Sequence, residues 1–184
     1  MTELLTPAGF TLRPWTDADA DADAVLAAFA PPDMASQADP PISDRADAAR
    51  WLRGRLRDWD RGTGYWWAVT DQRDVALGNV AVTSVDRRHD TGWVSYWTTE
   101  TARGHGVASA GTRAVARWAF DELGLFRLEL GHRTNNPASC RVALQAGFVA
   151  EGLERAKLQY GGTRYDVELH ARLATDPEQE ARSR

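Results

Sequence analysis

Cysteine is nearly absent from this sequence: Cys140 stands alone among 184 residues. A single cysteine excludes a disulfide framework within one chain, and a cysteine-ligated zinc site is not expected from it. Lysine is as scarce, because Lys157 is the only one among 22 basic residues and every other is arginine. An excess of positive charge is missing too. The 26 acidic residues leave a formal charge of −4, whereas a nucleic-acid footprint needs a basic face for its phosphate contacts, so direct nucleic-acid binding is not expected. No apolar run reaches the roughly 18 residues of a membrane span, and the stretch from Met1 to Phe10 has no basic n-region; the chain therefore reads as cytoplasmic and independent of membranes. What remains is 43% hydrophobic and 26% charged, the balance of an ordinary globular protein. A chain of this length buries roughly 70% of its unfolded surface without staples. The expectation is one domain over residues 1–173 and a polar tail over 174–184.

Hydrophobic periodicity sets out the elements. Gly9 to Pro14 alternates and stops at proline, the pattern of a strand. Thr16 is a candidate N-cap for a helix reaching about Ala30, with acids in its first turn. Pro31-Pro32 opens a long polar loop to Ser43. Leu52, Leu56 and Trp59 fall at helical spacing within a helix from about Asp44 to Arg61. Tyr65 to Thr70 and Val75 to Val85 form a hairpin around a polar turn, and Gly92 to Thr98 is a central, aromatic strand. From there the texture becomes α/β: a glycine-rich loop, a helix from Val107 to Leu123, a strand from Phe126 to His132, and a helix from Pro137 to Ala146. Pro137 and Gly147 sit where helix termini prefer them. Two strands, Phe148 to Tyr160 and Thr163 to Leu173, close the chain around Gly161-Gly162.

The chemistry begins at Arg103-Gly104-His105-Gly106-Val107-Ala108. A glycine-rich turn from strand into helix gathers backbone N–H groups and a helix N-terminus around one point, a site for an anion such as pyrophosphate. The turn lacks the third glycine of a dinucleotide fingerprint and the Gly-Lys-Ser/Thr of a Walker loop. Some thirty residues on, Asn135-Asn136-Pro137-Ala138-Ser139 opens the next helix, and Gly147-Phe148 follows.

Arg-x-x-Gly-x-Ala after an aromatic strand, then Asn-x-x-Ser, then Gly-Phe, resembles the GNAT superfamily of acyl-CoA-dependent N-acyltransferases. Glu151-Gly152, Arg155 and Arg164-Tyr165-Asp166 are similar to the ribosomal-protein N-terminal acetyltransferase (RimJ/RimL-like) branch. The resemblance covers roughly Phe10 to Leu173. It implies an α/β (α+β) fold: a mixed, mostly antiparallel sheet of about seven strands, with parallel fourth and fifth strands splayed apart, flanked by about four helices. It also implies acetyl-CoA as acyl donor. The amides of Gly104, His105, Gly106, Val107 and Ala108, with Ser109, would hold the pyrophosphate beside Arg103. Tyr96, Trp97 and Thr98 would pair with the pantetheine amides like a neighbouring strand. Asn136 would contact the pantetheine arm and Ser139 would lie near the thioester, although Asn and Ser are also ordinary cap residues.

The implied reaction is direct attack of a primary amine, on a peptide N-terminus or a small molecule, on the thioester. It calls for a base, an acid and backbone N–H groups for the oxyanion. The usual fourth-strand glutamate is replaced by Trp93 and the usual tyrosine acid by Ala143. Ser139 is the candidate acid and Glu129 a candidate base, although the latter reads first as an exposed or salt-bridged carboxylate. His132 is a further titratable group on the same strand. No metal is expected, because His89, His105, His132 and His170 show no ligand spacing. Asp33, Asp39 and Asp44 with Trp59, Trp66 and Trp67 would suit a cationic acceptor, and they read equally as solvated aspartates and core tryptophans. Trp93 and Ala143 keep open a catalytically impaired acyl-CoA-binding regulator, and the arginines another donor such as succinyl-CoA. Monomer and homodimer are both compatible with the sequence.

Overall fold

The computed structural model describes residues 3–35 and 37–177. From 178 onward, the expected polar tail lies outside the described residues. The elements in chain order are β1 (Leu4–Leu5), β2 (Thr11–Pro14), α1 (Asp19–Phe29), α2 (Pro32–Ala35), α3 (Arg45–Arg61), β3 (Gly64–Thr70), β4 (Ala76–Asp86), β5 (Thr91–Thr98), α4 (Val107–Asp121), β6 (Arg127–Arg133), α5 (Pro137–Gln145), β7 (Val149–Tyr160) and β8 (Thr163–Leu173). A single 3₁₀ turn, Glu100–Ala102, precedes α4. The eight strands form one sheet in the order β1-β2-β3-β4-β5-β6-β8-β7. Only β5 and β6 are parallel. This is the expected mixed, mostly antiparallel sheet, with one short strand and one short helix more than the sequence indicated. The splayed fourth and fifth strands are β5 and β6 once the two-residue β1 is counted. Among the described residues no helix is long and apolar enough to cross a membrane.

Local chemistry sets the helix ends. Asp44 caps α3 by accepting from Asp47 N at 2.8 Å, while Ser43 N donates back to Asp47 Oδ2 at 3.0 Å, which satisfies two orphan donors reciprocally. Thr16 does not cap α1 as expected. The N-cap is Ala18, without a side-chain cap, because the Thr16 hydroxyl donates instead to Asp21 Oδ2 at 2.8 Å. Asp21 is buried and also receives Arg13. The loop expected from Pro31 to Ser43 carries the one-turn α2.

The sheet separates two cores. Trp15, Val25, Phe29 and Leu52 pack α1 and α3 on one face. Val69, Val80, Val115, Leu128 and Phe148 pack α4 and α5 on the other. Gly111 lets α4 lie down on the strands: a Cβ there would stand 2.8 Å from Val80 Cγ2 and 3.1 Å from Val69 Cγ2. Close seating of that helix fixes where its N-terminus points.

Candidate active site

Parallel pairing of β5 and β6 lasts three registers, Thr91 with Arg127, Gly92 with Leu128 and Trp93 with Glu129. Beyond Trp93 the strands separate, while β5 stays bonded to β4 and β6 to β8. Each therefore turns one edge of backbone N–H and C=O groups toward the gap, as an edge strand does. The gap opens into a cavity of about 990 Å³.

The turn into α4 forms one end of the cavity. Gly104 and Gly106 have φ of 81° and 78°, a left-handed backbone that glycine adopts without penalty. Gly106 caps α4 with no side chain of its own. The first-turn N–H groups of this 15-residue helix thus face the cavity mouth with the positive end of its dipole. Ser109 Oγ turns inward and donates to Gly106 O at 3.1 Å. Arg103, on the rim, donates to Asp33 Oδ2 at 3.1 Å.

The start of α5 forms the opposite wall. Asn136 Oδ1 accepts from Ser139 N at 3.1 Å, so Asn136 is the helix cap and offers a ligand its NH₂ donors. Tyr96 reaches across the gap and donates its hydroxyl to Ser139 O at 3.1 Å. Burial pushes the Tyr96 phenol up to about 12, which keeps it a donor at neutral pH.

Of the residues expected to bind the donor, Tyr96, Trp97, Thr98, Arg103, Gly104, Gly106, Val107, Ala108, Ser109, Asn136 and Ser139 all line the cavity. His105 is exposed and outside that lining. Glu129 is outside it as well; its carboxylate accepts from Arg127 Nε at 2.7 Å, and the same arginine also holds Glu151. Trp93 does line the cavity, in the place of the usual carboxylate, with Lys157 Nζ 5.8 Å from its ring centroid. Ala143 is fully buried in the core.

On the acceptor side the structure follows each of the two readings in part. Asp44 is used as a helix cap, and Trp59 and Trp67 belong to the core beside Trp118. Only Trp66 of the three expected tryptophans reaches the cavity, where it joins Phe29, Trp51 and Trp97. The Arg55 guanidinium stacks 4.0 Å above Trp66 and 4.8 Å from Trp51. Burial lowers its pKa, against the attraction of Asp58. Sequence reasoning missed this group although the signal was present, since Trp51 and Arg55 are four residues apart and share a helix face.

His132 also lines the cavity, and its ring meets His170, Glu168 and Cys140 behind the wall. The hydrogen bond from His170 holds the Glu168 carboxyl below its ordinary range, and burial pushes the Cys140 thiol up.

The family model described as "Acetyltransferase (GNAT) domain" matches residues 10–149. The chain is 32% identical over 111 residues to the probable N-acetyltransferase YjcK of Bacillus subtilis, covering 60% of this chain and 61% of that protein. It is 24% identical over 132 residues to the ribosomal-protein-serine acetyltransferase of Escherichia coli, covering 72% and 73%. The chain thus spans about three fifths of the first of these relatives. Among solved structures it is similar to RimL, a ribosomal alpha-N-protein acetyltransferase in complex with coenzyme A. There the TM-score is 0.84 at 18% identity, over 94% of this chain and 98% of that one.

Proposed function

This chain belongs to the GNAT acetyltransferase family, and on that premise we propose that it is an acetyl-CoA-dependent N-acetyltransferase acting on a primary amine beside a carbonyl or carboxylate, such as a protein N-terminus. The observation that carries the reading is the separation of β5 from β6 after Trp93, which opens the cavity between the α4 turn and the start of α5. An extended chain with amide groups fits an unpaired strand edge, and a diphosphate fits a glycine-flanked helix N-terminus.

Acetyl-CoA supplies the activated acyl group. The β5 edge from Val94 to Thr98 binds and orients the pantetheine amides, and the turn from Arg103 to Ala108 takes the phosphates. A backbone N–H of the same β5 edge faces the carbonyl oxygen as its negative charge grows. Ser139, at the end of the Tyr96 bridge, passes its hydroxyl proton to the departing thiolate and is reprotonated through the same cavity water that takes up the amine's proton. Trp93 leaves no carboxylate at the usual base position, and Arg127 holds Glu129 away from the cavity lining. In this reading the amine enters neutral and its proton leaves through water in the open cavity.

The acceptor class follows from charge. With Arg103 assigned to the phosphates and paired with Asp33, the rest of the lining carries Arg55, Arg133 and Arg141 against Asp39. Such a surface disfavours a polyamine and favours an amine accompanied by carbonyl or carboxylate oxygen. Similarity to the ribosomal-protein-serine acetyltransferase points the same way.

The test is an acceptor panel of short peptides with free N-termini and of polyamines, read by thiol release and product mass. Acetylation of the peptide α-amine is expected. Turnover with polyamines alone would overturn the acceptor class. Thermal stabilisation by acetyl-CoA without thiol release from any amine would favour the impaired regulator that Trp93 and Ala143 suggest, and faster turnover with succinyl-CoA would change the donor.

A further inference from the structure

His132, Cys140, Glu168 and His170 come from three separated segments, and the fold draws them to one point. β6 and β8 run antiparallel with Leu130 opposite His170 and His132 opposite Glu168. His132, His170 and Glu168 therefore share one face of the sheet. The first turn of α5 brings Cys140 to that face. His132 Nε2 is 3.0 Å from His170 Nε2 and 3.3 Å from Glu168 Oε2, and His170 Nε2 is 3.0 Å from that same oxygen. Cys140 Sγ is 3.7 Å from it, and all four ligand atoms lie within 4.8 Å of one another.

Two details separate this group from an ordinary polar network. His132 Nδ1 is 3.1 Å from Arg133 O. A carbonyl only accepts, so the proton of the neutral ring sits on Nδ1 and Nε2 presents its lone pair to the cluster. His170 Nε2 meets an imidazole and a carboxylate at the same 3.0 Å with at most one proton to share between them. A cation at the centre meets every lone pair at once. With metal–ligand bonds of about 2.0–2.3 Å, the corners of a tetrahedral site stand about 3.3–3.6 Å apart; the three contacts among His132, His170 and Glu168 are 3.0–3.3 Å, the thiol is 3.7 Å from the carboxylate, and every pair lies within 4.8 Å.

We propose that His132, Cys140, Glu168 and His170 form a binding site for a transition-metal dication of the zinc class. Cys140 binds as thiolate, releasing its proton to solvent, so thiolate and carboxylate together balance the dication's charge in a half-buried place. Mixed nitrogen, sulfur and oxygen ligands select zinc or cobalt over magnesium or calcium. Counting cysteines, or spacing histidines along the chain, overlooks such a set because only the β6–β8 register assembles it. Ser139 precedes Cys140 and His132 lines the cavity, so the ion would pin the start of α5 to the sheet beside the thioester. Its role is that of a positioning element.

The test uses the full chain without a histidine tag, stripped with chelator and titrated with Co²⁺ and then Zn²⁺. One equivalent of cobalt should give tetrahedral d–d absorption together with a thiolate-to-cobalt charge-transfer band. Zinc should displace it and raise Tm. The half-exposed positions allow Cys140→Ser and Glu168→Gln to fold: the first should lose the charge-transfer band and the second should bind cobalt at least about tenfold more weakly. Cobalt bound without a sulfur band, spectra unchanged in both variants, or a zinc-induced Tm shift no larger in the parent than in Cys140→Ser would each overturn the site. None of these readouts depends on acetyl transfer.

Discussion

Arg103 and Asp33 hold one another at 3.1 Å although seventy residues separate them, joining the turn before α4 to the one-turn α2 above the cavity. Both side chains are about half exposed, so the pair adds less than about 1 kcal/mol to stability. Under the proposed function its consequence lies in donor binding, because Arg103 is the rim cation beside the helix N-terminus. Arg103→Ala is expected to raise KM for acetyl-CoA about tenfold, with little change in Tm, since a charge-assisted phosphate contact is removed. Asp33→Ala leaves the arginine in place and should not raise that KM. Steady-state kinetics on both variants checks the assignment; a rise with Asp33→Ala equal to that with Arg103→Ala would mean that the pair shapes the loop and does not itself meet phosphate.

Gly106 caps α4 at φ 78°, so any larger residue meets strain of about 1–2 kcal/mol. A glutamate there also sets a carboxylate where the proposed function places the phosphates. Gly106→Glu should abolish the acetyl-CoA-induced rise in Tm. Gly124→Glu, with a comparable φ of 63° at the far end of α4, imposes the same kind of strain and should keep the rise. Differential scanning fluorimetry with and without acetyl-CoA distinguishes lost binding from lost stability.

The sequence already carried the order of strands and helices and the two loops that bound the cavity, because periodicity and turn chemistry are local signals. Arg103 and Gly106 were legible for that reason, whereas Asn136 and Ser139 were singled out through the family resemblance. What lay hidden is long-range. The separation of β5 from β6 was expected through the family resemblance alone, because no local signal carries a register between strands more than thirty residues apart. The sorting of tryptophans, with Trp59 and Trp67 in the core and Trp51 and Trp97 on the cavity, depends on which face each element turns to the sheet. Thr16 lost its expected cap role for a similar reason: Asp21, drawn inward by Arg13, competes for its hydroxyl.

That contact between Asp21 and Arg13 predicts acid sensitivity. Burial by itself raises the Asp21 carboxyl, yet the hydrogen bonds from Arg13 and from the backbone and hydroxyl of Thr16 bring it below its ordinary value. A carboxyl with a depressed folded pKa contributes stability that is complete above the unfolded value of about 4 and is lost as pH falls through the folded one. Tm of the parent should therefore drop more steeply below about pH 4 than Tm of Asp21→Asn. At pH 7 the variant should be less stable by about 3 kcal/mol, as when one partner of a buried ion pair is removed. Thermal melts across pH 2–7, on the scale of ordinary carboxylate titration, check both statements.

On the proposed acceptor class, Arg55 links acceptor choice to stability with opposite signs. Its guanidinium is stacked on Trp66 and Trp51 and only partly compensated by Asp58 at 3.2 Å. Burial lowers its pKa, so the charge binds its proton less firmly in the folded chain than in the unfolded one, a net cost to stability at neutral pH. Arg55→Met keeps an unbranched side chain against the indoles and removes the charge. Tm should stay level or rise, while kcat/KM for a peptide N-terminus falls about tenfold, the size of one lost charge-assisted contact. KM for acetyl-CoA should not change, because Arg55 stands on α3, away from the α4 turn. A parallel loss with donor and acceptor would show that the residue shapes the cavity as a whole. A loss confined to the acceptor, with stability undiminished, is what a cation retained for recognition at some cost to folding would produce.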